Sequence, residues 1–271
     1  MTLQSFFFIL AGGFATGILG ALLGIGGGVF FIPYLVLLLK VPIHQAIATG
    51  IVCVIATSSA AASVNVERGF ANIRLGMVLE VATTTGAILG GFTANALSGE
   101  VLSKVFGSLL FLVAFLMIRR VWIGNGDATT SGKSGLIRGV YFDPAMNKEV
   151  VYTVQRLPAA LSFSLVAGNL SGMLGIGGGI VKVPVMNLIC GIPIKAATAT
   201  SNFMIGVTAV ASAFIYYANN RVHPVITCAA IIGVLCGSML GVTTSAKIRG
   251  RTVVLIFTVV LLILGMQMIL R

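Results

Sequence analysis

Apolar residues run along this chain in long blocks, not in the short alternations that mark surface strands. The blocks fall at about 5–24, 27–39, 46–65, 75–97 and 101–122, then at about 158–174, 178–190, 198–218, 224–246 and 252–270. Several approach the roughly 20 residues that a helix needs to cross a bilayer. The pattern predicts an all-α polytopic membrane protein. The second block of each set is the exception. Val29–Leu39 and Ile180–Cys190 are short and hold Pro33 or Pro184, so each is read as a tilted short span or a half-helix.

The two sets of five align without a gap at an offset of 151 residues (175 − 24). Gly24–Gly28 match Gly175–Gly179, Pro33 matches Pro184, and Pro42 matches Pro193. "AIATG" at 46–50 matches "ATATS" at 197–201, and Thr57, Gly86 and Gly90 match Thr208, Gly237 and Gly241. Between Leu23 and Thr49, 13 of 27 positions are identical to their partners. This is a duplicated unit, with Gly99 and Gly250 opening the last segment of each copy. It divides the chain into a first transmembrane repeat (1–122), a polar linker (123–157) and a second repeat (158–271).

Charge then sets orientation. Only 8% of residues are charged against 58% hydrophobic, too few to cover a water-soluble surface. The net charge of +11 comes from residues between apolar blocks, so it reads as membrane orientation and not as nucleic-acid binding. If all five segments of each copy cross, Arg68, Arg74, Arg119, Arg120, Lys133, Arg138, Lys148, Arg156, Lys195, Lys247, Arg249 and Arg251 share one side, twelve in all. Lys40, Lys104, Arg221 and Arg271, four in all, share the other. Without the short crossings the split is ten to six. The sharper bias favours five crossings per copy, which makes the repeats inverted and the basic side cytoplasmic. The location expected is a multi-pass inner membrane protein. The linker holds a flexible stretch, "GNGDATTSGKSG". Two β-rich runs then flank "DPAMNK", which predicts a small cytoplasmic β-hairpin that acts as a connector or a regulatory contact.

The sharpest chemistry lies in the doubled cluster, "LGIGGGVFFIP" from Leu23 and "LGIGGGIVKVP" from Leu174. Glycine costs about 1 kcal/mol relative to alanine inside a helix. Three in a row let the chain unwind, and unwound backbone at membrane depth must be buried in protein or line a cavity. Gly26, Gly27, Gly28, Gly177, Gly178 and Gly179 are therefore candidates for presenting backbone donors and positive helix ends to an anion. The plainer reading is close helix packing. Lys182, opposite Phe31 in the first copy, is the added cation, either a substrate contact or a snorkelling side chain. Glu80, opposite Ile231, is the one acid well inside an apolar block. It is a proton-coupling candidate, a neutraliser of Lys182, or a partner of Arg74. Thr49, Thr200, Ser201 and Asn202 are candidates for neutral hydrogen bonds to substrate, with Asn169, Asn187, Ser58 and Ser59 behind them. Their alternative role is interhelical bonding.

Nothing points to catalysis. There is no HExxH, no Cys–His pair and no paired carboxylates, so neither an enzyme activity, a metal nor a cofactor is expected. Cys53, Cys190, Cys228 and Cys236 lack metal-type spacing and read as small buried residues. The partners expected are a small anionic solute, the lipid bilayer and a second copy of the chain in a homodimer, with no nucleic acid.

The doubled "LGIGGG…P" motif, "PIHQAIATG", "PIKAATATSNFMIGVTAVASA" and the polar hairpin between them closely resemble the TauE/SafE family of sulfite exporter-like membrane proteins. The resemblance spans essentially the whole chain. It implies a helical transporter of duplicated halves that moves sulfite, thiosulfate or an organosulfonate. Export is the direction expected, since an anion leaving a cell that is negative inside gains about 2.3 kcal/mol per charge per 100 mV. The rival readings are an anion channel, a cation transporter of the same architecture, or a membrane subunit that only serves a partner enzyme.

Overall fold

The computed structural model describes residues 3–23, 26–123, 137–143, 147–244 and 250–270. Residues 1–2, 24–25, 124–136, 144–146, 245–249 and 271 lie outside the described residues, and with them Lys133, Lys247, Arg249 and Arg271 of the orientation count. The elements in chain order are α1 (Leu3–Leu23), α2 (Gly28–Pro33), which continues as a π-helical stretch (Tyr34–Leu38), α3 (Ile43–Glu67), α4 (Ile73–Ala96) and α5 (Gly99–Ile123). After them come β1 (Arg138–Asp143), β2 (Lys148–Thr153), α6 (Leu157–Leu174), α7 (Gly179–Leu188), α8 (Ile194–Ala218), α9 (Pro224–Thr244) and α10 (Gly250–Leu270). Of the described residues 81% are helical, so their backbone groups are satisfied mostly within helices, as hydrocarbon requires. Among the described residues, α1, α3, α4, α6, α8 and α9 are long and apolar enough to cross a membrane. Large apolar side chains such as Val81, Phe92, Phe115 and Phe214 face outward, where lipid replaces water as the solvent.

Local sequence explains the boundaries. Pro42 and Pro193 precede α3 and α8 with nearly the same backbone angles, φ −54° in both. Each holds the chain extended just before a helix begins. Asn72 caps α4 by accepting from the Leu75 amide at 3.1 Å.

Four helix pairs build the body: α1 with α9, α4 with α6, α3 with α8, and α5 with α10. Under the 151-residue correspondence the first two pairs exchange into each other. Small residues make them close. A methyl group on Gly86 or Gly90 would collide with the carbonyls of Leu165 or Asn169 on α6. One on Gly168 or Gly172 would collide with those of Thr83 or Ala87 on α4. Gly233 and Gly237 of α9 stand in the same relation to Leu10 and Phe14 of α1. With no hydrophobic drive between helices in lipid, such backbone approach is what holds them together. Of the four cysteines, Cys53 and Cys190 are buried as expected, but Cys228 and Cys236 are exposed. The exposed pair sits on the outer face of α9, where a thiol is apolar enough to face lipid.

The linker hairpin pairs β1 with β2 antiparallel, Val140 opposite Val151. One face is docked. Tyr141 and Tyr152 are buried, with Tyr141 edge-on to Phe70 at 5.6 Å. They share a second apolar core with Leu75 and Leu79 of α4, Met186 of α7 and Ala196 of α8. Asn72 Nδ2 donates to the Tyr152 hydroxyl at 3.3 Å, and the Gln155 amide donates to the Cys190 carbonyl at 3.0 Å. The hairpin is thus packed onto the ends of α4, α7 and α8.

Replacing Gly168 with Leu should overpack the α4–α6 contact and cost about 1–3 kcal/mol or more. Thermal unfolding of the purified protein in detergent should show a clear drop in Tm, and an unchanged Tm would contradict this packing.

Candidate functional site

The two glycine breaks meet at the middle of the molecule. Gly26, Gly177 and Gly178 take left-handed angles, φ 81°, 75° and 69°, which side-chain-bearing residues rarely adopt. A methyl group on Gly28 would lie 2.7 Å from the Gly175 carbonyl oxygen and 2.7 Å from Val54 Cγ2. One on Gly177 would lie 2.6 Å from Ile205 Cγ2 and 2.8 Å from Val54 Cγ1. Both breaks therefore close on the α3–α8 contact, around Val54 and Ile205. Close packing and paired breaks, alternatives in the sequence, occur together at these residues.

The two breaks open helices of different length. After the first, α2 has only six residues before the π-helical stretch. After the second, α7 runs for ten, with Gly178 as its left-handed N-cap. Facing Gly178 is Ser171 of α6, whose Oγ would be 3.4 Å from a methyl group placed there. That hydroxyl is buried and has no hydrogen-bond partner. A buried unpaired hydroxyl is uncommon and calls for an explanation.

One turn into α7, Lys182 points into protein and not towards an interface; it is 2% exposed. Its Nζ donates to Thr208 Oγ1 at 2.8 Å and lies 3.9 Å from Glu80 Oε2. Thr208 Oγ1 in turn donates to Glu80 Oε1 at 2.6 Å. Thr83 and Thr84, three and four residues beyond Glu80 on α4, also donate to the carboxylate, each at 3.0 Å. Helical spacing puts these hydroxyls beside it. Three helices, α4, α7 and α8, thus hold one carboxylate, one ammonium and a shared hydroxyl. Arg74 is exposed at the start of α4. Of the three readings of Glu80, the pairing with Lys182 is the contact present.

The other sequence candidates are spread along the molecule. Thr49 Oγ1 lies 3.4 Å from Thr227 Oγ1 of α9. Thr200 Oγ1 accepts from the Asn72 amide at 2.9 Å, near the docked hairpin. Both positions join helices. Ser201 is fully buried and its hydroxyl has no partner, like that of Ser171. It lies seven residues before Thr208 and so on nearly the same face of α8. Asn202 is buried beside it. Asn187 Nδ2 donates to the Ile192 carbonyl at 2.8 Å and holds the α7–α8 turn. Ser58 bonds back to the Ile55 carbonyl at 3.1 Å. Among the described residues no group of acids, histidines and cysteines is arranged to hold a metal.

Sequence reasoning missed Thr208 as the bridge, Thr83 and Thr84 as donors, and Ser171. The run "EVATTT" carried a signal for two of them, through the i+3 and i+4 spacing from Glu80.

Removing one partner of a buried ion pair costs about 3–5 kcal/mol, because it strands the other charge. Lys182→Met and Glu80→Gln should each lower the Tm. The double variant should recover most of the loss, and additive losses in a detergent melting series would contradict the pairing.

Comparison with known proteins agrees with this architecture. A family model, Sulfite exporter TauE/SafE, matches residues 9–268. The chain is 25% identical to the probable membrane transporter protein YunE of Bacillus subtilis, covering 98% of each. It is 28% identical to a probable membrane transporter protein of Xylella fastidiosa, covering 91% of this chain and 87% of that one. It is 26% identical to the probable membrane transporter protein MJ0441 of Methanocaldococcus jannaschii, covering 95% and 93%. No solved structure matches it. With nearly all of its length matched and its helices long enough to span a bilayer, this chain is a multi-pass membrane protein that belongs to the TauE/SafE sulfite exporter family.

Proposed function

We propose that this protein is a secondary transporter that exports a small sulfur-containing anion, namely sulfite, thiosulfate or an organosulfonate, by alternating access. One observation carries the reading. Lys182 is a fully buried ammonium one turn beyond a glycine break, in a chain whose relatives are named membrane transporters. A cation at that depth is costly unless it is paired or serves a solute. Among the described residues its one hydrogen bond goes to Thr208, with Glu80 as ion-pair partner at 3.9 Å, which leaves N–H groups of the ammonium for an oxyanion. The unpaired hydroxyls of Ser171 and Ser201 supply neutral donors of the kind that bind sulfonate oxygens. The amide groups that open α7 at Gly179 add the positive end of a helix dipole.

The duplicated sequence supports two inverted halves with the basic side cytoplasmic. One bundle is α1, α2 and α3 completed by α9, and the other is α6, α7 and α8 completed by α4. In this reading the bundles rock about the α3–α8 contact, where Val54, Ile205 and the glycines meet, and open the buried cluster to one side at a time. The chemistry is translocation, with no bond made or broken.

The test is equilibrium binding of sulfite, thiosulfate, sulfoacetate and sulfate to the purified protein, followed by proteoliposome flux. At least one of the first three should bind and move. Lys182→Ala should weaken binding at least tenfold, about 1.4 kcal/mol. Flux of sodium or nickel ions with none of the sulfur anions would favour a cation transporter and reject this reading. The purified chain moving nothing would favour the subunit role.

A further inference from the structure

The charged cluster draws on both repeats, Glu80 from the first and Lys182 and Thr208 from the second, but occurs in only one of the two bundles, that of α6, α7, α8 and α4. At the 151-residue offset, Lys182, Thr208 and Glu80 correspond to Phe31, Thr57 and Ile231. The hydroxyl is kept in both halves, but its work differs. Thr57 Oγ1 turns back on its own helix, to the carbonyls of Cys53 and Val54 at 3.1 Å each. Thr208 Oγ1 stands between an ammonium and a carboxylate. Glu80 and Lys182 are the charged side chains buried among the described residues, at 8% and 2% exposure. The empty cluster is therefore neutral overall.

A monovalent anion that docks on Lys182 breaks this neutrality. The cluster would hold two negative charges and one positive in a setting that solvates charge poorly. We propose that one proton travels with the anion, carried on Glu80, so that the loaded cluster is neutral as well. This rests on the transport reading above and names its coupling ion. The anion takes the place of Glu80 as counter-charge to Lys182. Glu80 takes a proton from the side the anion enters and releases it, as the ion pair re-forms, on the side the anion leaves.

The geometry provides for both states. Thr208 Oγ1 also lies 3.0 Å from the Met204 carbonyl, a second acceptor for its proton. When Glu80 is ionised, the Thr208 hydroxyl donates to it and accepts from Lys182. When Glu80 is protonated, Thr208 can donate to the Met204 carbonyl and accept from both the acid and Lys182, and with the carboxylate charge gone the ammonium takes the anion as its counter-charge. Among the described residues no other buried charge competes. α6, packed along α4, carries no titratable side chain, α8 presents Thr208, and α7 presents Lys182. On α4 itself the neighbours are Thr83 and Thr84. With both states neutral, the membrane potential that favours export of a bare anion drops out, and export then runs on an outward anion gradient larger than any inward proton gradient.

The experiment uses the full chain in proteoliposomes with a lumenal pH dye and labelled methanesulfonate, which stays monovalent at every working pH. The potential is clamped with potassium and valinomycin. Protons should move with methanesulfonate in a ratio of about one, the charge balance of the cluster. The rate should not change when the clamp is stepped. Glu80→Gln should lower net flux and proton movement at least about tenfold, because the empty carrier then holds an unpaired cation. Exchange of labelled for unlabelled anion should survive at a reduced rate. Flux without protons, flux that responds to potential, or wild-type net flux in Glu80→Gln would overturn the proposal. If Glu80→Gln does not fold, the proton ratio and the clamp step on the wild type decide alone. No methanesulfonate flux from a protein that binds and moves sulfite or thiosulfate overturns this coupling and leaves the transport reading standing.

Discussion

A single hydroxyl, that of Thr208, holds together the only charges buried in the described body of this protein. Everything around it serves a charge pair that hydrocarbon would otherwise expel. Lys182 reaches the pair because α7 begins at a buried glycine break. Glu80 sits on the α4 helix, which lies close against α6 at Gly86, Gly90, Gly168 and Gly172. Thr83 and Thr84 complete the shell of the carboxylate. An ion pair so placed adds little stability over an apolar substitute of the same shape. Its cost makes sense where charge has work to do, and in membranes that work is commonly the handling of ions.

The duplication gives the fold its frame and the departures from it give the chemistry. Paired helices, paired prolines before α3 and α8, and paired glycine breaks recur at one offset. The breaks close on each other around Val54 and Ile205. Against this near-symmetry, Lys182 and Glu80 stand where the other bundle has Phe31 and Ile231. The short π-helical continuation of α2 has no counterpart in α7. One bundle carries the buried charges and the other has apolar residues at the matching positions, so the proposed anion site is single.

Much of this was legible in the amino-acid order. The apolar blocks located the helices to within a few residues, because hydrocarbon imposes length and composition on every span. The runs around "DPAMNK" located the hairpin. Lys182 and Glu80 stood out because a charge in an apolar block needs a reason. The partnership between them was one option of three, since positions 102 residues apart (182 − 80) meet only through tertiary packing. Thr208 was visible as the match of Thr57, yet its bridging role depends on two other helices. Ser171 gave no signal at all: an unpaired hydroxyl is a fact of three dimensions. Thr49 and Thr200 looked like lining residues from composition, and the structure gives each a partner on a neighbouring helix. Cys228 and Cys236 show the same limit, because a residue that suits a core also suits a lipid-facing surface.

The central claim is that the Glu80–Thr208–Lys182 cluster is where the transported anion rests. A structure of the protein with 2-bromoethanesulfonate, located by the anomalous signal of bromine, tests it most directly. The account predicts the sulfonate within hydrogen-bond reach of Lys182 Nζ, roughly 3 Å, with Glu80 turned away from the ammonium. A ligand bound elsewhere, with the Lys182–Glu80 pair intact, would contradict it.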